Sequence, residues 1–239
     1  MMALPVLNDK PIYEVKVPSM DKKVKFRPYL VKEEKVLLLA METQDPQQIL
    51  QAISDTVLAC ITDELDPRKM TTFDIEFLFL KIRSKSVGER APLIFKCKEC
   101  EHPNEVVLNI DDIDIECNPK ESKKKVQLNS DITLVMRWPT YSDMIADSSM
   151  LANNNTTQMA FGMVSKCIEA IQTEEENFLI KDQPKEDVMA FLESLTAEQY
   201  KVITNYIESM PQLVHTVSYN CESCGTENNH TLKGIQDFF

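Results

Sequence analysis

Two Cys-x-x-Cys pairs, Cys97/Cys100 and Cys221/Cys224, stand 121 positions apart (100 to 221) in a chain of 239 residues. Each pair falls between two runs of strand-forming residues. Pro92–Lys96 and Glu105–Ile110 flank the first; Leu213–Tyr219 and Thr226–Leu232 flank the second. Two residues between the thiols let both sulfurs face a common point, and Gly225 suits the tight turn after the second pair. Two such knuckles together supply four thiolates, the usual tetrahedral set of a structural zinc site. A local zinc ribbon keeps its pairs roughly 15–20 residues apart. The wider spacing here predicts a split zinc ribbon, formed only when both halves of the chain have folded, with the metal closing a long loop.

The other readings of these residues are weaker. A redox dithiol wants its first Cys at a helix N-terminus, where the thiol pKa falls, and neither pair opens a helix. His102 and His230 lie near the knuckles and could each replace a sulfur, but four cysteines already complete the set. His215 alternates with Val214 and Val217 and reads as a strand residue. Cys60 and Cys167 lie on apolar helical stripes, as small core residues do. Cys117 sits in a polar loop with no evident role. Seven cysteines, an odd number, in a chain whose Met1–Lys10 segment lacks the charged head and apolar stretch of a secretory signal argue for reduced thiols rather than a disulfide framework. No apolar run approaches the roughly 20 residues of a membrane span. We therefore expect a chain kept in cytoplasm.

The formal charge is −12, which repels phosphate backbones and makes nucleic acid a poor partner. Lys120 and Lys123–Lys125 form the one dense basic run, opposed by Asp111–Glu116 and Glu174–Glu176. A zinc-ribbon nucleic-acid-binding or transcription-regulating protein is the rival class. It requires a basic face at the knuckles, yet Lys96 to Glu105 holds two lysines against three glutamates. Four thiolates leave no coordination position for water, and no phosphate-binding glycine loop, His-Glu-x-x-His helix or Gly-x-Ser-x-Gly elbow is present. The sequence supports no enzyme.

Along the chain, residues 1–30 read as an extended arm or hairpin turning at Met20–Lys23. Residues 31–90 form a helical block. Glu33 and Glu34 suit a first helical turn, Asp45-Pro46 a helix start, and Thr71-x-x-Asp74 a capping box before the nearly all-apolar Phe73–Arg83. A β region with the first knuckle spans 91–139, including a hairpin around Asn129–Asp131. A second helical block spans 140–211. In it Met159, Met163, Val164, Cys167, Ile168 and Ile171 define one helical stripe, Pro184 opens a helix, and Thr196-x-x-Gln199 is a capping box. Residues 212–239 form the second knuckle hairpin and an aromatic tail. The expected class is α+β within a single domain, two helical blocks around the β region. The order helices, strand, Cys-x-x-Cys, strand occurs twice, as an old duplication would leave it.

Three stretches carry a resemblance: Phe26–Ala40, Phe73–Glu89 and the ending Leu232–Phe239. With the two knuckles, they resemble the baseplate hub proteins of T4-like contractile-tailed bacteriophages, from about residue 24 onward. That resemblance implies a virion component or hub-assembly factor. Such a protein works through protein–protein contacts with other baseplate hub proteins, in the host cytoplasm during assembly or in the finished tail baseplate. It carries over no catalytic residue. Within that role, Ile235, Phe238 and Phe239 are candidate partner anchors, since aromatics are enriched at such sites. Capping of the chain's own core is the alternative.

Overall fold

A computed structural model describes residues 10–20, 22–66, 69–145 and 156–238. It is an α+β fold. By internal contacts the chain divides into two compact units: residues 1–65, 73–116 and 212–239 form the first, and 66–72 with 117–211 the second.

In the first unit, β1 (Tyr13–Val17) pairs antiparallel with β2 (Lys22–Phe26), Tyr13 opposite Phe26. Val17, Val24 and Phe26 are buried, while Glu14, Lys16, Lys23 and Lys25 face water, the alternation that a half-buried hairpin demands. The outer edge of β2 is taken up by the chain after the second helix: Arg27 N–H donates to Cys60 O at 3.0 Å and Thr62 N–H to Lys25 O at 2.9 Å.

Helix α1 (Val31–Thr43) begins with Glu33 folded back, its carboxylate accepting the Leu30 N–H at 2.8 Å and pairing with Arg27 at 2.9 Å. Helix α2 (Pro46–Cys60) starts as its sequence predicts: Asp45 accepts the Gln47 N–H at 2.9 Å, with Pro46 at the first position. Helix α3 (Thr72–Val87) buries Phe73, Ile75, Phe77, Leu78, Phe79, Leu80 and Ile82, so apolar contacts surround most of its circumference. Asp74 is also buried and accepts both the N–H and the hydroxyl of Ser19, at 2.9 and 2.5 Å. Gly88 ends the helix at φ +123°.

Two hairpins complete this unit, β3 (Arg90–Lys96) with β4 (Pro103–Asn109), and β9 (Val214–Asn220) with β10 (Glu227–Lys233). After β10 a 3-10 turn, Ile235–Phe238, lies beside Ile49, Leu50 and Ile53 of α2 and Glu76 of α3. Burial raises the Glu76 carboxyl above its ordinary range, against the lowering effect of the Ile235 N–H. Ile235 and Phe238 are 4% and 1% exposed. They fill the chain's own core, so the partner-anchor expectation for these two gives way to its alternative: the apolar tail gains more from burial here than from waiting for a partner. Phe239 lies outside the described residues.

The second unit holds a four-stranded antiparallel sheet in the order β5 (Lys125–Gln127), β6 (Thr133–Met136), β7 (Ile168–Gln172), β8 (Asn177–Leu179). The β5–β6 turn is closed by Asn129, whose side-chain oxygen accepts the N–H groups of Asp131 and Ile132. Its helices are α4 (Tyr141–Ile145), α5 (Thr156–Lys166), α6 (Lys185–Glu193) and α7 (Ala197–Glu208), the last opened by the Thr196/Gln199 capping box.

Two sequence expectations are corrected. The helical stripe drawn through Ile171 stops at Lys166, and Ile168–Gln172 is instead a central strand between β6 and β8, so the block 140–211 is not wholly helical. Ile168 and Ile171 fit a three-residue helical interval, but buried Ile168 and Ala170 also fit the strand period of two, and pairing on both sides decided between them. The expected single β region 91–139 is likewise divided, with β3–β4 in the first unit and β5–β6 in the second.

A repeated device supports the duplicated order of elements. In the first unit Arg27 follows a hairpin, donates its N–H to Cys60 O at the end of a helix, and pairs with Glu33 six positions on. In the second, Arg137 follows a hairpin, donates its N–H to Cys167 O at 2.8 Å, and pairs with Asp143, again six positions on, at 2.6 Å. Cys60 and Cys167 are fully buried in both places, and burial pushes their thiols up to about 11 and about 12. They are inert core residues, as their stripes suggested.

Candidate metal centre

The two knuckle hairpins are built alike. Each has two seven-residue strands, and every boundary of the second is shifted from the first by 124 positions (90 to 214, 109 to 233). In each, the first Cys donates its N–H across the turn, Cys97 to His102 O and Cys221 to Thr226 O, both at 2.9 Å. In each, the carbonyl of that Cys accepts an N–H four residues on, from Glu101 at 3.0 Å and from Gly225 at 2.9 Å. Those acceptor turns need a left-handed residue, which Gly225 supplies at φ 74° and Glu101 at φ 56°.

The hairpins meet, and the sulfurs of Cys97, Cys100, Cys221 and Cys224 all lie within 4.8 Å of one another. The contacts between knuckles are Cys97–Cys224 at 3.7 Å, Cys100–Cys221 at 3.6 Å and Cys100–Cys224 at 3.5 Å. A tetrahedron of sulfurs each about 2.3 Å from a zinc ion has edges of about 3.8 Å. The spacing fits that figure, and all four cysteines are free thiols rather than disulfides. Cys97 and Cys221 are buried, whereas Cys100 and Cys224 are exposed, so each knuckle contributes one sulfur of each kind.

Two buried asparagines lock the hairpins to each other. Asn228 accepts the Lys98 N–H at 3.0 Å and Asn104 accepts the Glu222 N–H at 2.9 Å. Each then donates its amide to its own knuckle, Asn104 to His102 O at 2.8 Å and Asn228 to Thr226 O at 2.9 Å. Both are almost fully buried, and satisfied amides of this kind fix one arrangement of their surroundings. Phe95 packs against Tyr219 and His230 across the junction, with ring centroids 6.0 and 4.8 Å apart.

Backbone donors and neighbouring sulfurs pull the thiols of the cluster in opposite directions. The N–H groups of Cys100 and Glu99 aim at Cys97 Sγ and lower its thiol to about 6; the N–H groups of Cys224 and Ser223 act on Cys221 in the same direction. At Cys100 the His102 N–H also lowers the pKa, but the neighbouring Cys224, Cys221 and Cys97 outweigh it and push the thiol up to about 12. Neighbouring thiolates repel one another and raise the proton affinity of the last to ionise, a repulsion that a divalent cation at the centre would relieve. A family model described as T4 bacteriophage base plate protein matches residues 10–239. The chain belongs to this family. Searches of curated proteins and of solved structures return no match.

In this baseplate protein the expected ligand quartet is brought together, and the neighbouring histidines stay out of it. His102 contributes its backbone carbonyl to the turn. The His230 ring stacks on Phe95, and its Nε2 lies 3.4 Å from the Tyr219 hydroxyl. The asparagine lock was missed by sequence reasoning. Its one legible trace was that both asparagines lie seven residues beyond the first Cys of their own pair. All four sulfurs belong to the first unit, which the chain leaves after Glu116 and rejoins at Gln212. No described helix is long and apolar enough to cross a membrane.

Proposed function

We propose that this baseplate protein is a non-enzymatic structural or assembly component of the tail baseplate hub, with Cys97, Cys100, Cys221 and Cys224 holding one structural zinc ion. The observation that carries the metal reading is the meeting of two equivalent knuckles, four sulfurs all within 4.8 Å of one another, from positions more than a hundred residues apart. Bound zinc would tie the returning C-terminal hairpin to the first, closing the unit around the chain's long excursion. With four thiolates, the ion has no open position for substrate or water. The hub assignment rests on family membership and on the resemblance of Phe26–Ala40 and Phe73–Glu89 to hub proteins; its partners are other hub proteins, met in the host cytoplasm during assembly.

Metal analysis of the purified full-length protein tests the first part. About one zinc per chain is expected; iron in its place, or no metal after purification without chelators, overturns it. Cys221→Ser should lose metal and solubility together, while Cys117→Ser keeps both. For the second part, tagged protein drawn from infected cells should bring other hub proteins with it. Recovery without any baseplate protein, or tight and salt-sensitive DNA binding at low ionic strength, would replace the assembly reading with the nucleic-acid one.

A further inference from the structure

Helix α1 is unlike the other helices of the first unit. Its buried side is narrow, made of Glu33, Leu37 and Ala40. Its outer side is apolar: Val31, Leu38 and Leu39 are 78%, 56% and 53% exposed, and Val36 and Met41 are exposed beside them. Large apolar side chains scattered singly on a surface need no explanation, but five on one 13-residue helix form a patch of the kind that marks an interaction site.

The polar residues within this patch indicate what covers it. Val31, Lys35, Leu38 and Glu42 recur at intervals of four, three and four residues, so they form one stripe along the helix, with Leu39 adjoining. Lys35 and Glu42 are both exposed. They lie equally far from the midpoint between Leu38 and Leu39, about 5 Å to either side at a rise of about 1.5 Å per residue. A twofold axis through that midpoint sets two copies of the helix antiparallel. It then brings Lys35 of each opposite Glu42 of the other and packs the leucines together in the middle. The stripe is therefore complementary to itself in charge and in apolar content, as an isologous interface must be.

We infer that α1 is a self-association surface, and that its partner is α1 of a second copy of this chain. One pair of short helices is a small interface, so the association is weak, with a dissociation constant on the order of 10 μM. A homodimer formed this way leaves the knuckles of each copy untouched and does not depend on the metal.

Sedimentation of the full-length protein through the micromolar range tests this. The mass should rise from 27.4 kDa toward twice that value with concentration. The Leu38→Asp, Leu39→Asp double variant should weaken association by at least about tenfold. Lys35→Glu and Glu42→Lys should each weaken it by about threefold to tenfold, because each sets like charges against one another twice. The combined Lys35→Glu, Glu42→Lys protein restores the opposite-charge pairs and should return to within about twofold of the original. Far-UV circular dichroism and metal content confirm that each variant is folded. A chain that stays monomeric throughout the range, a dimer that either single charge reversal leaves unaltered, or a combined variant as weak as the single ones overturns the inference.

Discussion

The two knuckle hairpins, β3–β4 and β9–β10, differ almost wholly on one face and hardly at all on the other. Where they meet, the correspondence runs to individual atoms: Cys for Cys, Asn104 for Asn228, and the same turn bonds at distances that differ by no more than 0.1 Å. On their outward faces the chemistry has parted. The first hairpin exposes Pro92, Ile94 and Val107. The second carries polar cross-strand contacts, Thr216 with Thr231 and Ser218 with Asn229. Positions that must converge on a shared centre are held by geometry within tenths of an ångström. Positions facing outward are held by little, since a solvated strand face tolerates most side chains.

That comparison can be broken most sharply at the sulfurs. Cys97→Ser and Cys221→Ser occupy equivalent places, so each should reduce metal content from about one ion per chain to near zero and lower the Tm by on the order of 10 °C. Unequal retention, read by metal analysis and thermal melts, would mean that the knuckles are not equivalent ligands.

The asparagine lock comes next. Asn104→Ala and Asn228→Ala each remove the side-chain acceptor of a half-buried N–H on the opposite knuckle and leave a gap where a buried amide stood, and each should cost about 2 kcal/mol in chemical denaturation. Near-equal losses support the reciprocal arrangement; a loss at only one position would show that the other hairpin is held differently.

The paired arginine clamps extend the test to the wider repeat. Burial alone would raise the Glu33 carboxyl, but the Arg27 guanidinium, the Leu30 N–H and Lys32 hold it below its ordinary 4.5. Asp143 is likewise held below 3.8 by Arg137 and Thr140 against the effect of burial. A carboxyl whose folded pKa is depressed stabilises fully above its unfolded pKa, and that contribution is lost as pH falls through the lower folded value. Stability should therefore fall between about pH 5 and pH 3. Glu33→Gln and Asp143→Asn should each flatten part of that slope in urea titrations taken across the range.

The smallest effect is expected at the turn that the hairpins solve differently. Gly225→Ala forces a side chain into the left-handed region and should cost about 1 kcal/mol, with no clash added because the space around it is open. Glu101→Gly relieves the same conformation and should leave stability level or raise it by less than about 1 kcal/mol. Opposite signs in thermal melts support the equivalence.

Much was legible from the chain alone because it depends on neighbours in sequence. Asp45-Pro46 and Thr196-x-x-Gln199 each act within a single helical turn, and each did what its local chemistry requires. The convergence of the four cysteines was also readable, since two thiol pairs at two-residue spacing between strands, neither opening a helix, suggest one shared site. Tertiary structure alone decided the rest. Ile168–Gln172 satisfied both periods and became a strand only because β6 and β8 flank it. Ile235 and Phe238 could have faced a partner, but both are buried in the fold, Ile235 beside α2 and α3. The asparagine lock joins residues more than a hundred positions apart. Such contacts form only after the intervening chain has folded, and no local preference records them in advance.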